Sequence, residues 1–279
     1  MTLTTMICYT SCMRRVLFLS FLIAILVCFP TPKASAQTVP SATPLPNLID
    51  LKLQYRQALD DERNKEDQFN IASQQYYALR TLASQEEAVR AGREVDLARV
   101  DTILIYIQTL RTTLDTNQGI ELSRKNTLQT QFSLLVDALK RHRSRVEIAT
   151  NRIQIEQENV FMEGEQDQIS ALCYLALSLI KIGAIQNSLD QLIITQSNVN
   201  DYIASANVSE TVRTEKQRGS DEVTRSSESI KQTISKAMDV YDTGLEHPDS
   251  SLFRAIQETL GPGFSGLTQA AEFIKELAQ

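Results

Sequence analysis

Apolar residues recur at steps of three and four along almost the whole chain, and no stretch alternates with a period of two. That spacing is the signature of helices with one buried face. From Leu48 to about residue 115 the apolar positions include Leu51, Tyr55, Leu59, Phe69, Ala72, Tyr76, Leu79, Val100, Leu104, Ile107, Leu110 and Leu114. Ser84 and Glu87 have capping-box spacing and Gly92 follows, so a break or kink is expected within residues 82–92. Thr116, Asn117, Gln118 and Gly119 predict a short turn, which forces the next helix back antiparallel.

The second segment, residues 120–161, has the most regular register. Leu128, Phe132, Leu135, Leu139, His142, Val146, Ala149, Ile153, Glu156 and Val160 step by four and three, a heptad seam. Residues 163–165 (Glu-Gly-Glu) are expected to turn the chain again. The third helix then runs to about residue 206. Its first part, residues 169–185 (ISALCYLALSLIKIGAI), is apolar on nearly every side and predicts burial all round. Its continuation narrows to Leu189, Leu192, Ile193, Val199 and Ile203.

Asn207 and Glu210 are spaced to cap a fourth helix. Val223, Ser227, Ile230, Ile234, Ala237 and Tyr241 form a weaker seam along it, ending near Gly244. Residues 251–260 and 267–278, joined by GPGFSG at 261–266, predict a small C-terminal helical hairpin. The fold class is therefore all-α: an elongated antiparallel helical bundle of coiled-coil hairpins over residues 48–245, with the short hairpin at 249–279.

The N-terminus follows a different logic. Arg14 and Arg15 precede an uncharged apolar block at residues 16–27, and Ala34-Ser35-Ala36 supplies small residues before Gln37. These are the three parts of a secretory signal peptide, with cleavage expected after Ala36 and Met13 the natural start. The block is shorter than the roughly 20 residues of a membrane span, which disfavours a retained anchor. Arg14-Arg15 loosely fits a twin-arginine signal, but the strongly apolar block fits the general secretory route. Cys28 follows Val27, where a lipoprotein signal wants a small residue. Residues 37–47 (QTVPSATPLPN) read as a Pro-rich flexible leader.

Composition sharpens the picture. Trp is absent and Gly and Pro are few, with 9 and 7 residues. The formal charge of −6 becomes −9 once residues 1–36 leave, because Arg14, Arg15 and Lys33 go and no acid does. An acidic chain lacks the basic footprint of a nucleic-acid binder. The same cleavage removes Cys8, Cys12 and Cys28. Cys173 then stands alone, so the exported chain is held by packing rather than by disulfides.

The two histidines, His142 and His247, lie far apart, and neither has a Glu three positions before it. There is no H-E-x-x-H, no C-x-x-C and no glycine-rich loop after a strand. No catalytic, cofactor-binding or metal-binding residue is therefore expected, and His142 reads as a polar member of the seam. Asp60-Asp61-Glu62 and Glu86-Glu87 diverge around their helices and read as solvated faces. Residues 140–145 (KRHRSR) are the one basic cluster, without interleaved aromatics, and suit an acidic protein partner or solvent. Asn207-Val208-Ser209 is a glycosylation sequon of use only in a eukaryotic host.

These features predict an exported, non-enzymatic structural, adaptor or interaction protein of the cell envelope, periplasm or exterior, with a protein partner and scope for self-association through its seams. The alternative is a membrane-active protein that conceals residues 169–185 as an insertion segment. Lys181 opposes spontaneous insertion by about 3 kcal/mol.

Overall fold

In a computed structural model, residues 47–205 and 209–278 are described. They form six α-helices and no strand: α1 Leu48–Leu79, α2 Leu82–Thr116, α3 Leu122–Ile148, α4 Arg152–Ser205, α5 Glu210–Thr243 and α6 Ser250–Ala278. A short 3-10 turn, Gly244–Glu246, leads from α5 towards α6. The all-α bundle is as the periodicity implies. The proposed signal peptide, its cysteines, most of the leader and Asn207 lie outside the described residues.

Helices α1 and α2 form an antiparallel hairpin. Tyr55 packs on Tyr106 with ring centroids 5.3 Å apart. Further along, Glu62 faces Arg99 at 3.6 Å and Lys65 reaches Glu94 at 2.9 Å. The hairpin turns at Arg80–Thr81, just ahead of the window in which a break is expected. Arg80 adopts the left-handed conformation with φ 50°. Thr81 caps α2: its hydroxyl accepts from the Ser84 amide, and the Ser84 hydroxyl accepts from the Thr81 amide. Ser84 is thus the far member of the capping box, where the sequence suggests the cap itself.

Helix α3 returns along α2. Arg111 bonds Gln129, and Arg143 binds both oxygens of Asp101 at 2.7 and 3.2 Å. Leu128, Phe132, Leu135, Leu139, His142 and Val146 are buried along it, and Ala149 just beyond its end. There the expected seam stops, because α3 ends at Ile148 rather than near Phe161. Asn151 accepts from the Gln154 amide while Gln154 Oε1 accepts from the Thr150 amide, so a reciprocal cap starts a new helix. Ile153, Glu156 and Val160 consequently face solvent.

The turn expected at residues 163–165 is absent. Gly164 sits within α4, a helix on the order of 80 Å long at about 1.5 Å per residue. A lone glycine costs a helix only about 1 kcal/mol. The apolar residues beyond it more than offset that, at about 1.5–3 kcal/mol for each large side chain fully buried. Helix α4 runs parallel to α2, and Asn117 of the α2–α3 turn donates to the Ile180 carbonyl at 3.1 Å. From Leu172 to Ile185 nearly every residue is buried.

Helix α5 packs antiparallel on the C-terminal half of α4. Gln196 fixes the register: its amide lies within 3.1 Å of the Ser220 carbonyl, the Ser220 hydroxyl and the Thr224 hydroxyl. All six predicted seam residues of α5 are buried. Its cap is Ser209, whose hydroxyl accepts from the Val212 amide.

The C-terminal hairpin is not formed. Residues 250–278 make one helix, α6, with Pro262 inside it. Two of the three glycines of GPGFSG, Gly263 and Gly266, lie against α5, while Gly261 faces open space. A Cβ on Gly263 would meet Thr233 at 3.2 Å, and one on Gly266 would meet Ile230 at 3.1 Å. The missing side chains let α6 approach α5 closely at Thr233 and Ile230.

Candidate functional site

The residues with chemical potential fall in three places. The first is a polar cluster where α2, α3 and the start of α4 meet. His142 is wholly buried, its Nδ1 lies 2.8 Å from Glu158 Oε2, and its ring stacks on Phe161 at 5.2 Å. Arg145 donates to the other Glu158 oxygen at 2.7 Å and lies over the Phe161 ring. The imidazole Nε2 is buried without a hydrogen-bond partner among the described residues. One residue along α4, the Asn159 amide faces Asp96 of α2; turned so that its nitrogen meets the carboxylate, it donates to both oxygens at 2.8 and 3.2 Å. Arg99 approaches Asp96 at 3.7 Å and also faces Glu62 of α1.

Burial sets the proton affinities. It pushes His142 below the ordinary imidazole range, against the hydrogen bond and charge of Glu158. It also pushes Glu158 upward, but hydrogen bonds from Arg145 and His142 hold that carboxylate below its usual range. Asp96 is pushed up to about 7 by burial, with Arg99 opposing and Glu158 adding. The ground state at neutral pH is a neutral imidazole donating to an ionised Glu158.

The second place is the interior of α4. Cys173 is buried and its thiol is pushed up to about 12 by burial, which makes it inert. Tyr106, whose hydroxyl has no partner among the described residues, and Tyr55 lie beside it. By length and composition α4 can cross a membrane, but 61% of its most apolar window is buried in the bundle. Lys181 is half-buried there and its ammonium is pushed down by that burial.

The third place is the surface. The basic cluster at 140–145 is partly spent inside the bundle: Arg143 pairs with Asp101 and Glu147, and Arg145 with Glu158. Lys140 and Arg141 remain exposed. Acids in the predicted solvated runs pair with neighbours, Asp60 with Arg63 and Glu87 with Arg90. His247 lies far from His142, on a shallow open cleft of about 400 Å³ between the end of α5 and the start of α6, beside Asp239, Thr243 and Ser251.

The most distinctive surface is the α1–α2 tip. Tyr77, Leu79 and Leu82 are exposed there, and Arg152 at the start of α4 is within electrostatic reach of Tyr76 and Tyr77. Ile148 and Ile153, on either side of the α3–α4 turn, are exposed to 75% and 67%.

Glu158, Asn159 and Asp96 escape a reading of the sequence, because residues 120–161 look like one helix. In that helix Glu158 would stand more than four turns from His142. The Asn151-x-x-Gln154 spacing is the signal that would have folded them together. Among the described residues no group of three or more His, Cys, Asp and Glu side chains converges as a metal site. No protein-family model matches the chain, and comparisons with curated proteins and with solved structures find no match either.

Proposed function

We propose that this is an exported, non-enzymatic interaction protein, a structural or adaptor component of the cell envelope or exterior. The observation that supports this reading is the apolar α1–α2 tip. Tyr77, Leu79 and Leu82 stand exposed at the end of a hairpin on the order of 50 Å long, with Ile148 and Ile153 nearby. Exposed apolar side chains gathered at one end mark contact surfaces, whereas scattered ones need no explanation. An acidic chain with long polar helix faces suits a protein partner at that tip.

Fractionation combined with site-specific photo-crosslinking tests this. A crosslinker at Tyr77 or Leu82 should capture a discrete partner from the envelope or external fraction, and one at the exposed Ser229 of α5 should not. Leu82→Asp should abolish the crosslink from position 77. Cytosolic recovery, or equal labelling from both places, overturns the proposal.

A second reading, membrane activity, rests on α4. A segment this apolar, closed inside a bundle, has the composition of an insertion helix. Leakage of vesicles by the purified protein would support it. No leakage between pH 5 and 7.5 excludes it.

A further inference from the structure

The geometry points to residues 152–168 as a detachable arm, clamped on the α2–α3 groove by a polar latch built on His142, Glu158 and Asp96. The arm is the weakly anchored end of α4. Between residues 152 and 171, Ile155 is the one buried residue, while burial is nearly continuous from Leu172 to Ile185. Polar and aromatic contacts also join the arm to the bundle, among them Glu158 to His142 and Arg145, Asn159 to Asp96, and Phe161 on the His142 ring. Gly164, with open space around its Cα, adds a point of low helix propensity between clamp and core. A segment with few buried apolar contacts opens at a lower free energy than the core to which it connects.

The clamp encloses two groups whose titrations oppose each other. His142 faces Glu158 from α4 and Arg145 from its own helix. Asp96 faces Asn159 and Glu158 from α4 and Arg99 from its own helix, and Arg99 in turn faces Glu62 and Glu66 of α1. The docked His142 resists protonation, so its contribution to docking is present above pH 6.5 and is lost as the pH falls below that value. The docked Asp96 retains its proton up to about 7, so its contribution is present below the ordinary carboxylate range and is lost as the pH rises towards 7. The two contributions therefore oppose each other: acid weakens docking through His142 and strengthens it through Asp96.

Hydrogen exchange read by mass spectrometry on the purified protein tests the arm and the latch separately. After correction for intrinsic exchange, residues 152–168 should exchange at least tenfold faster than residues 172–189. In Asp96→Asn only the histidine slope remains, and arm protection should fall as the pH drops, by up to about tenfold per unit. In His142→Gln, whose amide can still donate to Glu158, protection should instead fall as the pH rises over the same interval. Equal exchange of the two segments overturns the arm. The same sign of dependence in both variants overturns the latch. The exchange ratio of the unsubstituted protein decides the arm even where a variant misfolds.

Discussion

Gly119 lies directly against Gly183. A Cβ on Gly119 would collide with the Gly183 carbonyl oxygen and come within 2.7 Å of the Asn187 amide nitrogen. A Cβ on Gly183 would collide with Ile120 and crowd the Asn117 side chain. Here the α2–α3 turn presses its backbone onto the most buried stretch of α4, and the Asn117–Ile180 hydrogen bond holds it there.

This contact predicts opposite outcomes for three glycines. Gly119→Ala and Gly183→Ala should each destabilise by about 1–3 kcal/mol, because backbone must shift to admit a methyl group. Gly164→Ala should stabilise by about 0.5–1 kcal/mol, since it lies within a helix with nothing close to its Cα. Urea denaturation followed by circular dichroism measures all three. A stabilising Gly183→Ala would mean that the turn does not seat on α4.

The hairpin tip offers a second pair of substitutions. Arg80 holds φ at 50°, a conformation that costs a residue with a Cβ on the order of 1 kcal/mol and glycine almost nothing. Arg80→Gly should therefore raise the melting temperature slightly. Thr81→Ala removes the acceptor of the Ser84 amide bond and should cost about 1 kcal/mol. The proposed contact rests on the apolar side chains Tyr77, Leu79 and Leu82 rather than on Arg80, so Arg80→Gly should leave crosslinking from Tyr77 unchanged.

Pro262 predicts a gain. It is exposed, and as a proline it donates no backbone hydrogen bond to the turn of α6 before it. Pro262→Ala should stabilise the protein by up to about 3 kcal/mol, read from thermal unfolding. A loss would show that residues 261–266 favour the loop that GPGFSG suggests.

The same residues explain what can be read from the chain. The α5 seam is legible because Val223, Ser227, Ile230, Ile234, Ala237 and Tyr241 face one continuous partner surface from α4 and α6, so spacing alone reports burial. The α3 seam is legible as far as Ala149. Beyond it the heptad continues by coincidence while the chain reverses, and only the Asn151–Gln154 cap records the reversal. At 261–266 local preference and packing disagree. Glycine and proline are turn-forming locally, but Gly263 and Gly266 suit the close approach of Thr233 and Ile230. That fit exists only once α5 and α6 are packed. The His142–Glu158–Asp96 cluster is hidden for the same reason, since it draws on three helices whose pairing no single-helix period encodes.

Cys173 reports whether the core ever opens. Its side chain is buried at the centre of α4 and its thiol is pushed up to about 12, so almost none is thiolate at neutral pH. Alkylation by iodoacetamide at pH 7.5, followed on the peptide that carries Cys173, should be slower than that of an unfolded control by the factor that describes global unfolding. Opening of the arm at 152–168 should leave this rate unchanged, because the arm ends before Leu172. Anionic vesicles separate the two functional readings on the same residue. An interaction protein keeps Cys173 protected in their presence. A protein that releases α4 into the bilayer must first unpack it from α2, α5 and α6, and labelling should rise by tenfold or more during that step. Rapid labelling without vesicles would contradict the packing of Cys173 beside Tyr55 and Tyr106, on which the whole centre of the bundle depends.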